Sequence, residues 1–200
     1  MRIKPATLAD YKIMANIHAM AFDDFFLSSL GIEFLRTIYK TSLKSSETVA
    51  FCAENEEQEI VGFIKGCTHS KGFHKRLFIN NFFEFLYHGM ILIFTKPKSI
   101  LRLAKNLDKN KNALDDGNYA ELLSIAVLPT NKGQGVGKAL VKVFEEEIKK
   151  RGCKKISLTT DYTDNQDVLS FYKNTGYEVF YEFTTYPDRK MYKLIKNISD

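Results

Sequence analysis

The chain has 200 residues, 44% of them apolar, which suits one full core and leaves no room for several domains. Its formal charge of +5 is modest and calls for no nucleic-acid partner. The greasiest run, Leu77 to Phe94, is broken by Asn80, Asn81, Glu84, His88 and Gly89, short of the about 20 mostly apolar residues that a membrane span needs.

Elements follow in chain order. Arg2 to Lys4 reads as a short strand. The residues Met1 to Thr7 hold no apolar signal core. Thr7 has the character of a helix N-cap, with Asp10 three residues on as a variant capping box. Leu8, Ile13, Ile17 and Met20 then recur at helical spacing. A second helix is expected after a Ser28/Ser29 cap, with Ile32, Leu35, Ile38 and Tyr39 inward. Thr48 to Ala53 and Ile60 to Thr68 read as strands joined by the polar turn 55–58. Cys52, Cys67 and Cys153 are odd in number and lack metal-ligand spacing, so no metal site is expected. They read as reduced thiols of a cytoplasmic protein. Cys52 and Cys67 could face each other across the hairpin, but two separately buried thiols is the preferred reading.

From His69 to Asn118 the pattern changes. Helical stretches rich in Phe and Lys run to about Asn110, and the turn Asp115 to Asn118 closes the segment. Between Lys71 and Lys111 stand nine Lys/Arg and two acids, Glu84 and Asp108, whereas the rest of the chain holds 20 basic and 22 acidic residues. The positive charge is therefore concentrated in one insertion, about residues 70–118. Tyr119 to Leu128 is a buried strand ended by Pro129. A glycine-rich loop leads into a helix from Lys138 to Arg151, with Gly152 as C-cap. A strand from Lys155, a helix from Asn165 to Asn174, and two closing strands complete the order β-α-α-β-β-(insert)-β-α-β-α-β-β.

The chemistry concentrates in Lys132-Gly133-Gln134-Gly135-Val136-Gly137-Lys138. Alternating glycines let the backbone turn tightly and approach a ligand. The helix that starts there offers free N–H groups and a positive dipole end, which suits a pyrophosphate. A nucleotide-binding P-loop is excluded, because Lys132 stands where it needs Gly and Ala139 where it needs Ser or Thr. The dinucleotide fingerprint fails on its spacing.

This loop resembles the pyrophosphate loop of the GNAT-type N-acetyltransferases, whose pattern is Q/R-x-x-G-x-G/A; Lys132 replaces the preferred Arg or Gln. Asn165, Val168, Leu169, Phe171-Tyr172 and Gly176-Tyr177 resemble the family's following helix, and Pro5-Ala6-Thr7 with Asp10 its opening. The matched elements span roughly residues 1–68 and 119–196. The resemblance implies one α/β (α+β) acyltransferase domain over residues 1–200. It would have a mixed, mostly antiparallel sheet flanked by helices, with the helical insertion between strands three and four. Acetyl-CoA would be the co-substrate and a small-molecule amine the acceptor.

It also implies roles. Ile125, Ala126 and Val127 would bind the pantetheine arm. Lys132, Gly133, Gln134, Gly135, Val136, Gly137 and Lys138 would form the pyrophosphate site, and Asn165 would touch the pantetheine or phosphate region. Tyr172 stands at the family's general-acid position, beside Phe171 as the packing residue; a core tyrosine is the plain alternative. Glu121 is the candidate base, since alternation puts Tyr119, Glu121, Leu123, Ile125 and Val127 on one face. A carboxylate at a fraying strand end is the plain alternative, and His69 and His74 are other candidates. The insertion has three readings: a basic, aromatic cover for an anionic acceptor such as a nucleotide-linked amino sugar, an amphipathic helix in peripheral contact with a membrane, or packed helices with a solvated basic face. The last is preferred for most of its residues. The Phe22 to Tyr39 region is similar to acetyltransferases of bacterial polysaccharide clusters, which points to a sugar acceptor. A non-catalytic acyl-CoA-binding regulatory module is the alternative function, and a homodimer is compatible with the sequence.

Overall fold

The structure, a computed structural model, describes residues 1–23, 25–107 and 115–199. Asp108, Lys109, Lys111 and the expected end of the insertion helices near Asn110 lie outside the described residues. The strands are β1 (Arg2–Pro5), β2 (Thr48–Glu54), β3 (Ile60–Cys67), β4 (Ala120–Val127), β5 (Lys155–Asp161), β6 (Glu178–Thr185) and β7 (Arg189–Asn197). They form one sheet in the order β1-β2-β3-β4-β5-β7-β6. Neighbours pair antiparallel except β4 and β5, which are parallel.

The helices are α1 (Tyr11–Ala21), α2 (Phe26–Ser29), α3 (Ile32–Lys44), α4 (Phe73–Asn80), α5 (Phe82–Thr95), α6 (Pro97–Leu107), α7 (Val136–Lys150) and α8 (Gln166–Asn174). On one face of the sheet, α7 buries Val136, Leu140, Phe144 and Ile148, one helical stripe, against Ala120, Leu122, Ile156, Leu158 and Leu194. Gly66 of β3 permits this closeness: a Cβ there would collide with the Phe144 ring and the Glu121 carbonyl. On the other face, Met14 and Ile17 of α1 and Leu35 and Tyr39 of α3 pack on Cys52, Phe63 and Ala126. A third cluster of Phe34, Cys67, Phe73, Leu77, Phe85 and Leu92 ties the insertion helices to α3 and β3.

Two local expectations change, on the inner face of α1 and on the start of α3. Leu8 and Met20 are 46% and 55% exposed, and the inner face of α1 is Met14, Ala15, Ile17 and His18. Leu8 belongs to a 3-10 turn, whose tighter winding shifts its angular phase relative to α1. Thr7 does use Asp10: its N–H and hydroxyl donate to Asp10 Oδ2 at 2.7 and 2.8 Å. Ser28 and Ser29 lie within α2, and α3 begins after Gly31, whose φ of 100° suits glycine. Cys52 and Cys67 are opposite Phe63 and Thr48 in the ladder, buried in different clusters and reduced.

Candidate active site

The β4–β5 ladder is short. Ala120 pairs with Ile156, Glu121 with Ser157 and Leu122 with Leu158, and the register ends there. Beyond it the two strands part and leave a cleft. Backbone direction decides what faces this cleft. Leu128 N–H donates to Val61 O at 2.8 Å, and the Ala126 carbonyl lies 3.0 Å from the site of a Gly62 Cβ, so residues 126 and 128 turn their polar groups to β3. By strand alternation, Ile125 and Val127 turn theirs into the cleft. Of the three residues expected to line it, Ala126 is thus directed the other way.

The glycine loop sits where β4 leads into α7. Gly133 and Gly135 have φ of 78° and 80°, and Gly135 is the N-cap. α7 starts at Val136, two residues earlier than expected. The first backbone bond at its head is Ala139 N–H to Gly135 O at 3.0 Å, so the N–H groups of Val136, Gly137 and Lys138 have no acceptor within the helix. Lys132, Gln134 and Lys138 are exposed beside them. Phe171 of α8 lies 3.8 Å from the site of a Gly137 Cβ, which seats α8 against this helix head.

Asn165 caps α8 and ties it to the parted end of β5. Its Nδ2 donates to Thr160 Oγ1 at 2.6 Å and to the Asp161 carbonyl at 2.9 Å. One residue past Phe171, Tyr172 is 5% exposed, its ring edge-on to Phe171 and Tyr177. Burial raises its hydroxyl's pKa well above the ordinary tyrosine value.

Glu121 faces the opposite side of the sheet from Ile125 and Val127. Lys65 is paired with Ser124 but Gly66 with Leu122, so Leu123 is a bulge residue that reverses the alternation expected from the sequence. Both oxygens of Glu121 are engaged: Lys193 Nζ donates at 2.7 Å and Ser70 Oγ at 2.6 Å. Burial pushes its carboxyl pKa up, but the Lys193 ammonium and the two hydrogen bonds outweigh this and hold it below the ordinary carboxylate value. The network extends, with Lys193 Nζ over the Tyr119 ring at 4.9 Å and Asp115 accepting from the Tyr119 and Tyr181 hydroxyls. His74 adds its field at Glu121, and His69 meets the Thr68 hydroxyl at 3.1 Å. Sequence reasoning missed Lys193, Ser70 and Asp115. The one available signal was a lysine between Met191 and Ile195 on an inward face of β7.

A second wall rises around the parted end of β5. Arg189 forms a two-bond ion pair with Asp161 and covers the Phe25 ring. From α6, Arg102 lies 4.7 Å from the Phe26 ring centre and Lys105 4.0 Å from that of Tyr186. α6 therefore bridges α2 and the β6–β7 hairpin. Among the described residues no group of His, Cys, Asp and Glu could hold a metal ion.

A parted parallel strand pair, with a glycine loop at the head of the next helix, defines the N-acyltransferase class of fold. The model of the acetyltransferase (GNAT) family matches residues 14–177. The chain belongs to this family and is an acetyltransferase. Solved structures agree on the fold. The ribosomal-protein-S18-alanine N-acetyltransferase from Escherichia coli is 16% identical, with a TM-score of 0.64 over 100% of this chain and 94% of that one. An aminoglycoside 6'-acetyltransferase type Ii is 16% identical, with a TM-score of 0.64 over 100% of this chain and 99% of its own. A PaiA N-acetyltransferase from Thermoplasma acidophilum, solved with coenzyme A, is 16% identical, with a TM-score of 0.59 over 98% and 99%. Among curated proteins no sequence matches the chain significantly.

Proposed function

We propose that the chain binds acetyl-CoA along the β4–β5 cleft and transfers its acetyl group to a primary amine by direct attack on the thioester. The observation that carries this reading is a ladder that stops at Leu122 and Leu158 beside a helix head with free N–H groups. The N–H groups of Gln134, Gly135, Val136, Gly137 and Lys138 would hold the pyrophosphate, with Lys132 adding charge. Ile125 and Val127 would bond the pantetheine amides as a neighbouring strand does. Asn165, its Nδ2 tied to β5 and its backbone carbonyl to Leu169 N–H, would offer its side-chain Oδ1 to the same arm.

In the reaction the amine nitrogen bonds to the thioester carbonyl carbon, the C–S bond breaks and the leaving thiolate takes a proton. Tyr172, at the family's general-acid position, is the donor, and the tyrosinate it leaves regains a proton from the water that takes the ammonium proton. The ammonium proton passes to water. Glu121 is held ionised by Lys193 and Ser70 and acts as an electrostatic anchor for the acceptor side rather than as the base. Tyr172→Phe removes only the hydroxyl; kcat is expected to fall on the order of 100-fold with acetyl-CoA affinity unaltered. A wild-type kcat in steady-state assays would return Tyr172 to core packing.

The acceptor that fits best is an amino sugar or a nucleotide-linked amino sugar. Support comes from the wall of cations and aromatic rings around β5, where Lys190 also lies 5.4 Å from the Tyr162 ring centre. For the nucleotide-linked, anionic amino sugar KM should rise with salt, while KM for an amine without anionic groups should not rise. Lys105→Ala is expected to reproduce part of that rise with CoA binding intact. Equal salt response for both acceptors would refute the anionic assignment.

A further inference from the structure

α5 is two helices in one. Its inner stripe, Phe85 and Leu92, is buried against Phe34 and Leu77. At about 100° per residue, Phe82, Phe83, Leu86, Tyr87, Met90, Ile91, Ile93 and Phe94 fall within the other half of its circumference. All are exposed, Phe83 by 83% and Phe94 by 87%. Ile79 at the end of α4 continues the patch, 60% exposed. With side chains of this size the bare apolar area is on the order of 1000 Å², beyond what a soluble monomer leaves open.

Charge tells what covers it. Residues 71–107 carry seven Lys/Arg and one acid, Glu84; of the cations, Arg76 pairs with Glu47, and Arg102 and Lys105 lie on the Phe26 and Tyr186 rings away from the patch. Glu84 is turned inward, onto Lys44 at 2.7 Å and Lys40 at 3.5 Å. Lys75 stands one turn before Ile79 and Lys98 four residues after Phe94, both exposed, so cations mark both ends of the patch, while Lys96 between them donates to the Ser29 carbonyl. A second copy of the chain, paired face to face, would set these cations against each other. An anionic bilayer supplies an apolar layer for the rings and phosphates for the lysines.

We propose that α5 docks on an anionic lipid surface, lying in its plane. The helix is about 21 Å long at 1.5 Å per residue, and its rings would sink to the headgroup–acyl boundary. It does not cross: no single helix among those described is long and apolar enough to span. The bent α4–α5 pair, with a 94° break, passes by length and composition only, and its inner stripe belongs to the protein core.

The test is co-sedimentation of the full chain with vesicles of phosphatidylcholine, alone or mixed equally with phosphatidylglycerol. Binding is expected to the mixed vesicles, with a fall of roughly tenfold or more for Phe83→Asp/Phe94→Asp and a smaller fall for Lys75→Glu/Lys98→Glu. Both pairs sit at the surface, and circular dichroism checks their fold. Failure of the wild type to bind, or equal binding by the aspartate variant, overturns the proposal. So does a solution dimer, seen by ultracentrifugation, that the aspartate variant dissolves while vesicle binding is absent.

Discussion

Gly135→Asp is expected to lower CoA affinity by roughly 100-fold while costing the fold only about 1 kcal/mol, the strain of a side chain at positive φ being partly offset by the charge at the helix N-terminus. The two effects separate because the position has two physical roles. As the N-cap of α7, Gly135 has φ of 80°, a region that Asp and Asn tolerate better than other side chains, and nothing lies within 4 Å of a Cβ there. An aspartate at a helix N-terminus is favourable in itself. As the floor of an anion site, the same carboxylate meets the pyrophosphate with like charge and takes up its N–H donors. Gly135→Asn, uncharged and nearly the same shape, should lose far less. Calorimetry for affinity and thermal unfolding for stability check both arms. Unchanged affinity in the aspartate variant would remove the pyrophosphate from this loop.

The second large effect falls on stability. Lys193 is 5% exposed and its ion pair with Glu121 is mostly shielded from water. Glu121→Gln leaves a buried ammonium without its counter-charge, which costs about 3–5 kcal/mol. Glu121→Gln/Lys193→Met removes both charges and should recover most of that, which chemical denaturation can measure. The pair also sets an acid limit. The Glu121 carboxyl is depressed in the folded state, so its contribution is fully present above its ordinary value of 4.5 and is lost as pH falls below that. Wild type should therefore lose stability below about pH 4.5 more steeply than the double variant. As an anchor, Glu121 should give a rate loss in the Gln variant that does not shrink at high pH. A loss that vanishes as free amine rises would make it the base after all.

What the sequence disclosed depends on the range of the signal. The loop from Lys132 to Lys138 was legible because its glycines, charges and helix start are adjacent in the chain. The order of strands and helices followed from periodicity, though the phase of α1 slipped at the 3-10 turn holding Leu8. The extra residue at Leu123 was not legible, because nothing in Leu122-Leu123-Ser124 marks a bulge; its cost was to place Glu121 on the wrong side relative to Ile125 and Val127. Lys193 lies 72 positions from Glu121, and no local pattern joins them. For the insertion, sequence showed greasy helices but not which half of α5 the core would claim. That was settled by Phe34 and Leu77, from two other elements.

The three residue pairs between β4 and β5 make the sheet two panels sharing a narrow seam. One panel is β1 to β4, the other β5 to β7, and Lys193 reaching Glu121 is a staple across the seam at its closed end. A pantetheine arm in the parted region would stand in for the missing rungs. Binding would then do more than fill a groove: the ligand would become a shared strand through which the panels are coupled, stiffening the wall of Arg189 and Asp161 relative to Ile125 and Val127. At about a hundredfold excess over Kd such a ligand contributes roughly 2.7 kcal/mol to the folded state. Were that wall the acceptor's, it would reach its working geometry once the acyl donor is in place, which would give the two substrates an order of arrival.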